Sequence, residues 1–125
     1  MAVEPTPVEM DSILLTVAPM AGASLDFMED DDAFKVELIT AINGNIGKLN
    51  QLGIGVQGFH IEDETATWEE FFGDVTPDYK KWMIREYMKF AIKKSFDPPN
   101  SSTLLQIINE QMNEYEFRLL VDQED

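Results

Sequence analysis

The sequence predicts an all-α protein, a small antiparallel helical bundle, on three observations. Apolar residues recur at three- and four-residue steps through three long windows, 32–52, 77–94 and 101–120. Short breakers rich in glycine and proline separate those windows. Apolar residues make up 44% of the 125 residues, enough for one ordinary domain with a real core. That domain is expected over 11–121, between a flexible tail at 1–10 and a short acidic tail at 122–125.

Pro5 and Pro7 oppose a helix in the first ten residues. Asp11 is then placed to cap the apolar stretch SILLTVAPM, which Pro19 and Gly22 close. Asp30, Asp31 and Asp32 put negative charge at the start of the next helix, where the macrodipole favours it. A calcium loop would need acidic side chains at alternate positions and a glycine; Met28 breaks that series. The helix itself carries Phe34, Leu38, Ala41, Ile42, Ile46, Leu49 and Leu52, and Gly53 ends it. Gly44 and Gly47 lie inside it, each costing about 1 kcal/mol relative to alanine. Either another helix approaches closely there, or the cost is tolerated.

In GFHIEDETATW, Phe59 alternates with Ile61, a polar turn follows at Asp63 and Glu64, and Thr65 resumes the run. That pattern is compatible with a short β-hairpin insertion. TWEEFFG reads as one capped turn, with Thr67 and Glu70 as a capping box. Pro77 suits the first position of the next helix, whose apolar line is Tyr79, Trp82, Met83, Tyr87, Phe90 and Ala91. Asp97, Pro98 and Pro99 then form a rigid structural elbow. Two prolines cannot continue a helix, and the residue before a proline is pushed to extended geometry. Asn100, Ser101 and Ser102 offer cap oxygens to the last helix, with its stripe of Leu104, Leu105, Ile108, Met112, Tyr115 and Leu119. So short a connection makes the two helices antiparallel neighbours.

Charge is the outlying property: nine Lys and Arg against 24 Asp and Glu, net −15. Such a surface argues against binding nucleic acid by neutralising phosphate. The charge is also segregated. Residues 1–32 hold eight acids and no base, 57–79 hold seven acids and no Lys or Arg, and 80–94 hold six bases and one acid. Within the last of these, Lys81, Arg85, Lys89 and Lys93 fall at four-residue spacing and form one basic ridge. A ridge of this kind is often a plain solvated face. Here acidic segments supply an electrostatic partner, so the ridge is a candidate subunit interface.

Machinery for catalysis is missing. There is no cysteine, and His60 is the single histidine, which suits a surface or turn position and no usual metal centre. INGNIG is glycine-spaced but lies within a helical pattern and lacks a following Lys-Ser/Thr. Glu69 and Glu70 are adjacent and do not converge on one point. No catalytic, cofactor-binding or metal-binding residue is expected. No apolar run approaches the ~18 residues of a membrane span, and MAVEPTPVEMD lacks the basic start of a signal peptide.

The order of parts resembles the head-tail connector proteins of tailed bacteriophages, small helical adaptors that attach to the portal. The resemblance runs from about Ser12 to Phe117. It is carried by SILLTVAPMAG before an acidic turn, DAFKVELITAINGNIGKLNQLGIG, GFHIEDETATWEEFFGD, YKKWMIREYMKFAIKKSFDPP and NSSTLLQIINEQMNEYEFRLL. FDPP followed by serines is the most specific element. The resemblance implies a structural, non-enzymatic virion protein of the neck, made in the host bacterial cytoplasm. Its partners would be copies of itself in a ring, often dodecameric, the portal protein, and the next head-completion or tail protein. DNA would pass through the channel without specific binding, since carboxylates repel phosphate. The resemblance also implies a portal contact through the terminal helix, at Tyr115, Phe117, Arg118 and Val121. The composition alone leaves an alternative, an acidic DNA mimic that inhibits a DNA-binding host protein.

Overall fold

A computed structural model describes residues 11–22 and 32–124, with side chains described to residue 120. The expected tail at 1–10 and the capping residues Asp30 and Asp31 lie outside these residues. Among the described residues the protein is all-α, with five α-helices and no strand.

The first helix, α1 (Ile13–Val17), is followed by a 3-10 turn at Ala18–Ala21 that ends at Gly22. The cap is Ser12 and not Asp11: the Ser12 hydroxyl accepts from Leu15 N at 3.1 Å. Asp11, one residue earlier, is left to reach other elements. Helix α2 (Asp32–Gln51) buries Leu38, Ile42, Ile46 and Leu49. It stops in a Schellman motif around Gly53, with Ile54 N donating to Leu49 O and Gly53 N to Asn50 O, both at 2.9 Å. Gly44 and Gly47 have no neighbour within 4 Å of where a Cβ would lie, so no second helix among the described residues explains them.

The expected hairpin at 59–67 is absent. Ile61 has both of its backbone groups satisfied by one side chain: Asn43 Nδ2 donates to Ile61 O at 2.9 Å, and Ile61 N donates to Asn43 Oδ1 at 2.7 Å. An amide on α2 thus replaces the neighbouring strand. Asn50 does the same further on, donating to Ile54 O and Val56 O and accepting from Gly58 N. A single antiparallel bridge, Ser12 to Thr67, is all the β-pairing among the described residues. Gly55 sits at φ 76° with the Phe71 ring 2.3 Å from where a Cβ would lie, so only glycine fits.

Helix α3 (Trp68–Phe72) has the expected capping box: Glu70 N donates to Thr67 Oγ1 and Thr67 N to Glu70 Oε1. Helix α4 (Asp78–Phe96) is central, packing on α1 with its 3-10 turn, on α2 and on α5 (Ser102–Glu124). Pro77 is its N-cap and not, as expected, its first helical residue, which is Asp78. Its buried face is Lys80, Met83, Ile84, Tyr87, Met88, Ala91 and Ile92. The expected apolar line is therefore rotated, and Tyr79 and Trp82 face outward. A helix with neighbours on three sides buries a broad face, and aliphatic Ile84, Met88 and Ile92 define its middle better than the aromatics do.

Residues 97–101 join α4 to α5. Asp97 N closes the end of α4 on Lys93 O at 2.8 Å, and Ser101 Oγ caps α5 through Leu104 N. Helix α5 continues to Glu124, beyond the expected end at 120. It buries Ile108, Tyr115 and Leu119.

Candidate interaction surfaces

The basic ridge lies along one edge of α4, and each of its four members meets a carboxylate of its own chain. Lys81 Nζ lies 2.6 Å from Asp78 and Arg85 3.0 Å from Asp11. Lys89 is 3.8 Å from Glu86, and Lys93 is 3.6 Å from Asp97. The ridge therefore divides. Its first two members are held at hydrogen-bonding distance, and its last two are beyond it. The Lys81 bond also holds the Asp78 carboxyl below its ordinary range.

Arg85 is the most committed of the four. Its guanidinium lies over the Trp68 ring at 5.8 Å and the Phe72 ring at 5.7 Å. Asp11 takes Arg85 with one oxygen and Glu69 N of α3 with the other. One carboxylate thus ties α4 and α3 to the entry of α1. Trp68 Nε1 completes this side by donating to Thr16 Oγ1 at 2.8 Å. Arg85, a candidate subunit-interface residue, also has a packing role inside its own domain.

At the other flank, α5 brings the expected portal residues to different places. Tyr115 is 8% exposed. It stands edge-on to Trp82 at 6.0 Å and stacked on Phe90 at 6.3 Å, an internal packing residue joining α5 to α4. Phe117 is 66% exposed, and Arg118 pairs with Glu114 at 2.6 Å. Val121 lies within α5, and its side chain is outside the described residues.

Glu116 is a site that sequence reasoning missed. It accepts from the Tyr87 hydroxyl at 2.6 Å and pairs with Lys48 at 2.7 Å, joining α5, α4 and α2. Burial disfavours its charge, but the bonds from Lys48 and Tyr87 prevail and hold the carboxyl below its ordinary range. The Glu116 bond raises Lys48 well above the usual lysine range. Burial, then the Glu116 bond, raises Tyr87. The available signal was spacing: Glu116 stands four residues after Met112 and three before Leu119, on the edge of the apolar stripe.

His60 is a surface residue, as expected, with its ring 3.7 Å from Glu62. A shallow hollow beside it is lined by Phe59, Glu62, Asp63, Thr65 and Glu70. Its polar groups already serve local structure: Asp63 accepts from Thr65 N, and Glu70 completes the capping box. Among the described residues no group of three His, Asp or Glu is arranged to hold a metal ion. Among them, too, no helix is long and apolar enough to cross a membrane.

No curated protein and no solved structure matches the chain. The family model described as phage connector protein matches residues 22–125, from the end of the first helical segment through α5. The chain, with its all-α domain and segregated charge, belongs to the phage connector protein family.

Proposed function

We propose that this protein is a structural adaptor of the virion neck, assembling as a ring beneath the portal and docking the next head-completion or tail protein. The observation that carries this reading is the family match across 22–125. Surface charge supports it. At net −15, a channel lined by this chain repels DNA phosphate and offers the passing duplex few cationic contacts. Asymmetry supports the ring. A head-to-tail contact needs two different complementary patches on each subunit, and a basic edge on an otherwise acidic chain supplies one. The outward Phe117 and Arg118 of α5, with Val121 following, are the proposed portal contact; Tyr115 positions that helix from within.

The alternative of a DNA mimic has less support. Asp11, Glu64, Asp78, Glu86, Asp97, Glu114 and Glu116 each pair with a cation of their own chain, whereas a mimic presents its carboxylates unneutralised. The deciding experiment is electron microscopy of assembled virion necks carrying a tagged copy of this chain. A ring of tagged subunits under the portal is expected. Necks that lack the tag, with the tagged chain found bound to a host DNA-binding protein, would overturn the reading.

A further inference from the structure

Five residues of α4 follow steps of three and four along its outer side: Tyr79, Trp82, Glu86, Lys89 and Lys93. One end of this stripe is aromatic and the other basic. Trp82 is 54% exposed and Tyr79 65% exposed. Trp82 is nevertheless held in place, edge-on against Tyr115 of α5. An exposed but fixed tryptophan loses little freedom when a partner covers it. Beyond it, Lys89 and Lys93 hold their own-chain carboxylates only at 3.8 and 3.6 Å, pairs that can be exchanged at little cost.

A matching patch stands elsewhere on the same chain. Val56 is fixed by its N–H to Phe71 O at 2.8 Å and is 38% exposed. Its side chain lies over Gly73, where a Cβ would come within 2.8 Å of Val56 Cγ2. Asp74 is the next residue, and Glu69 is one helical turn back, its carbonyl accepting from Gly73 N. The patch is thus an aliphatic side chain over a glycine whose chain neighbours include Asp74, in a segment without Lys or Arg. Trp82 leans toward α5 through Tyr115, and Arg85, one turn further along α4, packs on Trp68 and Phe72 of α3.

We infer that the outer stripe of α4 is the seat for the 56–74 segment of a second copy, with Val56 on Trp82 and the acids of that segment toward Lys89 and Lys93. The inference rests on the ring reading above and names the surfaces that would close it. A nucleic acid is a poor occupant for this stripe at net −15. A heterologous contact of this kind propagates head to tail and closes when the rotation allows.

The test is self-association of the full chain, measured by sedimentation velocity over a concentration series, with circular dichroism on each variant. Wild type is expected to associate. Trp82→Ala is expected to weaken association about tenfold or more. Lys89→Glu with Lys93→Glu is expected to abolish it, and so is Glu69→Lys with Asp74→Lys. Combining all four reversals restores the attraction with its sign exchanged, and association should return. Association of the two single-patch variants at the wild-type level would overturn the inference while leaving the ring reading standing, as would a combined variant that stays monomeric. A wild-type chain monomeric at every concentration and in the presence of portal-containing heads would overturn both.

Discussion

Tyr87 and Glu116 are joined by a 2.6 Å hydrogen bond that links the middle of α4 to the last turns of α5. The same carboxylate oxygen holds Lys48 of α2 at 2.7 Å, and Lys48 Nζ lies 5.8 Å from the centre of the Tyr87 ring. Three helices, two of them consecutive and the third from the first half of the chain, therefore meet at one charge. Glu116→Ala is expected to lower stability by about 1–3 kcal/mol, and Tyr87→Phe by about 1 kcal/mol. Urea unfolding of both variants and their double mutant checks this. Additive losses would show that the two groups do not act together.

The same cluster sets a pH dependence. Glu116 titrates below its ordinary 4.5 in the folded protein, so its stabilisation is present above that value and lost as pH falls through the folded value. Lys48 titrates above its ordinary 10.5 and Tyr87 above its ordinary 10.0. Their stabilisation is present below those values and lost as pH rises past them. The stability gap between wild type and Glu116→Gln should therefore be flat between about pH 5.5 and 9 and shrink on both sides. Urea midpoints collected from acid to alkaline buffers measure it, and a gap that stays constant into acid would remove Glu116 from this role.

Arg85 and Lys89 are expected to behave differently despite their shared ridge. Arg85→Ala removes the Asp11 pair and the contact with two rings, and should cost about 1–3 kcal/mol. Lys89→Ala should change stability by no more than about 0.5 kcal/mol. Thermal melts of the two variants decide the matter, and equally small effects would place both on ordinary solvated surface.

The connection between α4 and α5 is expected to act as a structural elbow. Pro98→Ala with Pro99→Ala should lower stability by about 1–2 kcal/mol, largely by freeing the unfolded chain. Differential scanning calorimetry gives the answer. A double mutant that melts unchanged yet fails to attach to portal-containing heads would instead make these prolines a contact.

Deleting residues 121–125 should spare folding and reduce portal attachment. Co-sedimentation of the truncated chain with portal-containing heads is the measurement. Attachment at the wild-type level would move the portal contact away from the end of α5, with the acidic 55–75 region as the next place to look.

What the sequence determined by itself was local. Helix positions follow from three- and four-residue apolar steps, the α3 start from the Thr67 and Glu70 capping box, and the α2 stop from Gly53. Each depends on residues within about one or two turns of one another, which is the range over which propensity and capping act. The family resemblance was legible for the same reason, as an order of such local parts. Tertiary structure decided what depends on distant neighbours. Asp11 meets Arg85 across 74 positions, and Asn43 takes the place of a strand for Ile61 across 18. Neither pairing leaves a periodic trace in the chain. The face that α4 buries was settled by the three sides on which neighbours pack, which turned Tyr79 and Trp82 outward. Burial belongs to the assembled set of helices, and a single helix's pattern constrains it only to within a broad arc.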